Sequence, residues 1–198
     1  MISACVRCAF VASILALTGC GANELVTLEE GEIRTALIGT EDLPPGAEVT
    51  EDSPEPCGPI PILEDAAEAA MTKTYGFGET RVKAAIGFYD TEREASKAFE
   101  ELSSDGRREC IGDSIGRYSN SRNVVDEPLE SLGVADTESL TRYLVNDPGS
   151  EAEQAVDTAT LRFGLCVETI IQFQEDGSAE AARELFETAA QPAIETCQ

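Results

Sequence analysis

The residues able to do chemistry in this chain are its cysteines and its acids. Seven cysteines occur, Cys5, Cys8, Cys20, Cys57, Cys110, Cys166 and Cys197, beside 38 acidic residues, 14 basic ones and no histidine. Without histidine, Ser-His-Asp and Cys-His nucleophiles are excluded. The side chain that most often moves protons near neutral pH is missing too. A carboxylate pair could serve glycoside hydrolysis, but among so many acids some pair always falls close, and no spacing marks one out. A zinc site is disfavoured because no CxxC spacing occurs and the later cysteines lie far apart. No calcium loop of the D-x-D-x-D-G type is present. The reading is of a non-enzyme with no metal and no cofactor.

Cys20 has a different chemistry. Ala9 to Leu17 carries no charge and follows a single Arg7. A bilayer-spanning helix needs about 20 apolar residues, so this run fits the core of an export signal instead. Leu17-Thr18-Gly19-Cys20 resembles a bacterial lipobox, the processing site of exported lipoproteins. Cleavage there makes Cys20 the first residue of the mature chain. Its thiol takes a diacylglycerol as a thioether, and small residues before it admit the peptidase. Two or more acyl chains give stable anchoring where one is marginal. The expected organisation is a signal peptide over 1–19, a lipidated tether over 20–27 and one domain over 28–198. The tether reaches at most about 25 Å, so the domain sits close to the cell membrane, on its extracytoplasmic face.

Export leaves Cys57, Cys110, Cys166 and Cys197, an even number in an oxidising compartment, and predicts two disulfides. The remaining chain is long enough for one domain with a sizeable core. Its formal charge is strongly negative, −24 for the whole sequence. That argues against binding nucleic acid or anionic headgroups. The membrane is met through lipid alone.

The elements that must position these groups follow from periodicity. Thr27-x-x-Glu30 is a capping-box pattern, and Ile33 and Leu37 lie one turn apart, predicting a helix at about 28–38. Leu43-Pro44-Pro45-Gly46 stops it. Glu48 to Pro61 reads as a loop pinned by Cys57. Residues 68–76 and 80–89 read as a hairpin around Tyr75-Gly76-Phe77-Gly78. In the second strand Val82, Ala84, Ile86 and Phe88 alternate with Arg81, Lys83 and Ala85, the pattern of a half-buried strand. A helix opens at Thr91, with Ala95, Ala98, Phe99 and Leu102 on one face. Strands follow near 138–145, 156–163 and 166–174. In the last, Glu168 and Gln172 take the face opposite Val167, Thr169, Ile171 and Phe173. A final helix starts from Ser178.

"AFEELSSDGRREC" (98–110) and "LFETAAQPAIETC" (185–197) align without a gap, matching Phe99 with Phe186 and Cys110 with Cys197. This suggests a strand–helix–Cys unit used twice. A helix running back along its strand brings its final cysteine near the strand's start, which favours Cys166–Cys197 and leaves Cys57 for Cys110. Two other pairings stay open. The predicted class is α+β: an antiparallel sheet with packed helices, two strand–helix half-repeats and two disulfides.

The order of lipobox, short helix, Leu43-Pro44-Pro45-Gly46, early cysteine, "AAIGFYDTEREASKAF" (84–99), second cysteine and closing hairpin and helix (158–190) resembles actinobacterial envelope lipoproteins. It is similar also to the extracellular sensor domain of certain mycobacterial serine/threonine kinases. The resemblance covers most of 28–190 and departs at Cys197. It implies an antiparallel sheet with packed helices, four paired cysteines and a ligand-binding cleft, and carries over no site residue. Two functions are expected from different classes: a sensor-like module for a small envelope molecule, or a lipoprotein that binds a protein partner. Tyr75, Phe77, Tyr118 and Tyr143 are the candidate ligand-lining residues, because they fall in or near predicted loops or on strand faces.

Overall fold

A computed structural model describes residues 35–50, 57, 67–119, 121, 124–145, 154–175 and 177–197. Seven antiparallel strands form one sheet: β1 (Glu48–Val49), β2 (Ala69–Phe77), β3 (Thr80–Phe88), β4 (Val124–Pro128), β5 (Thr137–Val145), β6 (Gln154–Phe163) and β7 (Cys166–Glu175). Their spatial order is β1-β2-β3-β7-β6-β5-β4. Three helices pack on it: α1 (Glu92–Leu102), α2 (Asp105–Ser119) and α3 (Ala179–Cys197). The class is α+β, as the sequence predicts. Among the described residues no helix is long and apolar enough to cross a membrane.

Local signals explain most boundaries. Phe77 pairs with Thr80 and Phe163 with Cys166. Each two-residue turn contains a glycine in the left-handed region, Gly78 at φ 58° and Gly164 at φ 54°, where an L side chain is disfavoured. The first turn falls at Gly78-Glu79, so Tyr75 and Phe77 lie within β2 rather than in a loop. Thr91 caps α1 by accepting the Glu94 N–H at 3.3 Å, and Ser178 caps α3 through the Ala181 N–H at 3.1 Å. Of the helix expected at 28–38, residues to 34 lie outside the described part; Thr35 and Ala36 are helical and the chain bends at Leu37.

The half-repeat expectation needs correcting. The helix after β3 breaks at Ser103-Ser104, and Cys110 falls inside α2 rather than at a helix end. Ser104 caps the new helix by accepting the Arg107 N–H at 3.3 Å. The helices after β3 and β7 also cover opposite faces. On the first face α3 lays Ala182, Phe186 and Ala190 over Ala84, Leu161 and Ile170. On the second, α1 sets Ala95, Ala98 and Leu102 against Ala85 and Val167. Beside it α2 sets Ile111 and Ile115 against Tyr143, Val156 and Ile171. Both disulfides nevertheless form, Cys57–Cys110 and Cys166–Cys197, with Cα separations of 5.8 and 6.0 Å.

Coverage on both faces changes the reading of β3 and β7. The alternation suggests one solvated face for each, yet Val82 to Phe88 are all buried, Lys83 included. Glu168 is fully buried between Ile86 and Leu161, its cross-strand neighbours. Neither of its carboxylate oxygens meets a hydrogen-bond partner. Burial pushes its pKa well above the usual value of 4.5, because a bare charge in an apolar layer is disfavoured. The folded pKa lies above the unfolded one, so stability from this group is fully present at acid pH and is lost as pH rises towards the folded pKa. Glu168→Met is therefore expected to raise the melting temperature, with a larger gain at about pH 8 than at about pH 4. Paired thermal melts check this. Equal gains at both pH values, or a loss, would contradict the neutral buried acid.

Candidate binding cleft

The second face is not closed evenly. α1 covers β6 and β7, while α2 stands over β5 and the edge strand β4 and leaves a cleft of about 920 Å³ beside it. α2 lines one wall with Asp105, Arg108, Glu109, Gly112, Asp113 and Arg117; Val124 and Asp126 of β4 and Tyr143 of β5 line the other. Gly116 permits a close approach, whereas Gly112 has room for a Cβ. A Cβ on Gly112 would lie 3.8 Å from the Tyr143 ring, and one on Gly116 would lie 3.1 Å from the Ser121 carbonyl oxygen. The Cys57–Cys110 bridge pins α2 in its first turns, and Ser114 sits 3.7 Å from the Cys57 sulfur.

The cleft is polar. Arg108 pairs with Asp105, and Arg117 donates to the Ser114 hydroxyl at 2.9 Å. Glu109, Asp113 and Asp126 meet no cation among the described residues. Tyr143 is 1% exposed at the cleft floor. Burial, helped by Asp126 and opposed by Arg108 and Arg107, pushes its hydroxyl up to about 12. It is a neutral phenol throughout the physiological range, a hydrogen-bonding group and not a base.

A recess of about 420 Å³ continues from Arg108 towards Ser139 and Glu138. Glu138 organises its far wall. Its carboxylate accepts the N–H groups of Leu132, Gly133, Val134 and Ala135 and the Ser131 hydroxyl, at 2.6 to 3.2 Å. Burial alone would raise its pKa. The Ser131 hydroxyl and the loop N–H groups outweigh burial and bring it down to about 2. The β4–β5 connection is thus wrapped on one ionised side chain. No cluster of three or more metal-ligating side chains occurs among the described residues.

The four aromatic candidates separate. Tyr143 lies in the cleft. Tyr75 is buried on the first face and donates to the Ile38 carbonyl. Phe77 packs against the same core from its edge. Tyr118, at the end of α2, is 66% exposed and does not line the cleft. Sequence reasoning missed the rest of the site because it missed α2 and β4. The signal for α2 was Ser103-Ser104-Asp105-Gly106, a helix stop followed by a serine cap.

No family model matches the chain, and no curated protein sequence matches it. Among solved structures, the crystal structure of the extracellular domain of PknH from Mycobacterium tuberculosis matches with a TM-score of 0.52. The match covers 85% of this chain and 96% of that one at 10% identity. At such identity the likeness establishes the fold. It bears out, at that level, the resemblance to a mycobacterial extracellular sensor domain read in the sequence.

Proposed function

We propose that this protein is an exported lipoprotein, held at the membrane through lipid on Cys20, whose domain binds a small envelope molecule in the α2–β4–β5 cleft and releases it unchanged. The carrying observation is the cleft itself. Its volume is in the range of small-molecule sites, about 300–1,000 Å³. It is lined by carboxylates that meet no cation among the described residues, two arginines and a buried phenol, groups suited to recognition by charge and hydrogen bonding. The lipobox residues support export and anchoring. The two disulfides suit an oxidising compartment, and the fold is one found in an extracellular domain. The alternative of a protein-binding lipoprotein draws on Tyr118 and Val125, large side chains exposed by 66% and 51% on α2 and the edge strand.

Two experiments test the reading. Cys20→Ser is expected to stop acylation and move the protein out of the detergent phase on phase partitioning. A mutant that partitions like wild type would end the lipoprotein assignment. Gly112→Leu places a side chain in the cleft at a position where a Cβ meets only ordinary contacts, and it removes a glycine from a helix, worth about 0.8–1 kcal/mol. The unliganded protein is expected to melt at or above the wild-type temperature. The rise that a low-mass envelope fraction gives wild type should disappear. A rise that survives in Gly112→Leu would move the site elsewhere, and one protein captured by cross-linking in place of any small-molecule effect would favour the alternative.

A further inference from the structure

A small chamber under the α1–α2 joint shares Arg108 and Tyr143 with the cleft, and its chemistry departs from that of the rest of the molecule. Its floor is a hydroxyl array set by strand register. Ser139, Thr160 and Thr169 align across β5, β6 and β7, and Thr141 faces Thr158 in the next row. A sheet face beneath helices is ordinarily apolar, because a buried hydroxyl without a partner is destabilising. Here the four threonines are 5–8% exposed. Thr158 donates to the Thr141 carbonyl at 3.3 Å. The Thr169 hydroxyl has no partner. The Tyr143 hydroxyl, which lies beside that of Thr158, forms no well-aligned hydrogen bond.

The charge pattern is also reversed. Acids outnumber bases 38 to 14 in the chain, yet the chamber wall holds Arg107 and Arg108 and no carboxylate. Arg108 lines the chamber, the outer cleft and the side recess alike. The chamber volume is about 20 Å³, room for about one oxygen-sized group.

Resting on the cleft reading above, we infer that the ligand carries an oxyanion, a phosphate or carboxylate, that binds at Arg108 and sends one oxygen into the hydroxyl chamber beside Thr169 and Tyr143. Arginine and hydroxyl donors together suit such a group, since hydrogen bonds to ionised partners are roughly twice as strong as neutral ones. Glu109, Asp113 and Asp126 outside, which meet no cation among the described residues, repel extended polyanions, so the rest of the ligand is neutral or cationic.

The test is a thermal and calorimetric titration of the full acylated chain in neutral detergent. The probes are inorganic phosphate, acetate and glycerol 3-phosphate, with sodium chloride at matched ionic strength as the control. At least one of the three is expected to give a saturable rise that chloride does not. Stronger binding of glycerol 3-phosphate would identify a lipid headgroup as the source, and stronger binding of phosphate or acetate a free anion. Arg108→Gln should weaken that binding about tenfold or more. Its pair with Asp105 is too exposed to contribute much to stability. Thr169→Val, a near-isostere that removes an unpartnered hydroxyl, should stay folded and bind more weakly. The inference is overturned if none of the three anions exceeds chloride, or if both variants bind like wild type. If Gly112→Leu blocks the envelope fraction while no oxyanion binds, the cleft assignment stands and the oxyanion fails.

Discussion

The pairing of β3 with β7 is the constraint on which the rest depends. It joins Arg81–Phe88 to Cys166–Phe173, segments far apart in sequence, and so turns two hairpin systems into one seven-stranded sheet. Such contacts carry a loop-closure cost that must be met before they stabilise anything. The Cys57–Cys110 bridge acts on the first of these systems: its 53-residue separation encloses β2, β3 and α1 and ties the chain ahead of β2 to α2. Once β3 and β7 are central, the chain leaving each strand has a free face to cover. α1 and α3 take opposite faces, and both strands become buried on both sides.

The cleft is a consequence of that arrangement at the sheet's far edge. α1 is spent over β6 and β7, so the chain breaks at Ser103-Ser104 and α2 must reach β5 and β4 alone. With Ile111 and Ile115 as its main apolar contacts, α2 covers only part of the surface beneath it. What fixes the cleft walls is local: Gly116 against the Ser121 carbonyl, the disulfide at Cys110, and a β4–β5 loop wrapped on the Glu138 carboxylate. A cleft held this way is largely pre-organised, and pre-organisation lowers the ordering cost of any binding.

Much of this frame was legible in the sequence. Alternation in 80–88 and 166–174, the caps at Thr91 and Ser178 and the glycine turns place β2, β3, β7, α1 and α3 to within a few residues. The spacing of the cysteines supports the disulfides that form. The cleft was hard to read for physical reasons. Gly106, Gly112 and Gly116 give α2 a low intrinsic helix preference, and few apolar residues mark its buried face. β4 is a five-residue edge strand ending in Pro128 with Asp126 and Glu127 exposed, the composition that disfavours pairing with a further strand. Lys83 and Glu168 misled because a polar residue every second position signals solvent only where one face is bare. Tyr143 was visible as an aromatic on a strand face; the hydroxyl array beside it emerges only when three strands fall into register.

On the proposed reading, α2 and the β4–β5 edge form the ligand surface. The decisive measurement is hydrogen–deuterium exchange of the full chain with and without the low-mass envelope fraction proposed to bind it. New protection is expected in residues 105–117 and 124–126, with β1 and β2 unchanged. Protection centred on residues 48–49 and 69–77, with 105–117 unaffected, would contradict it.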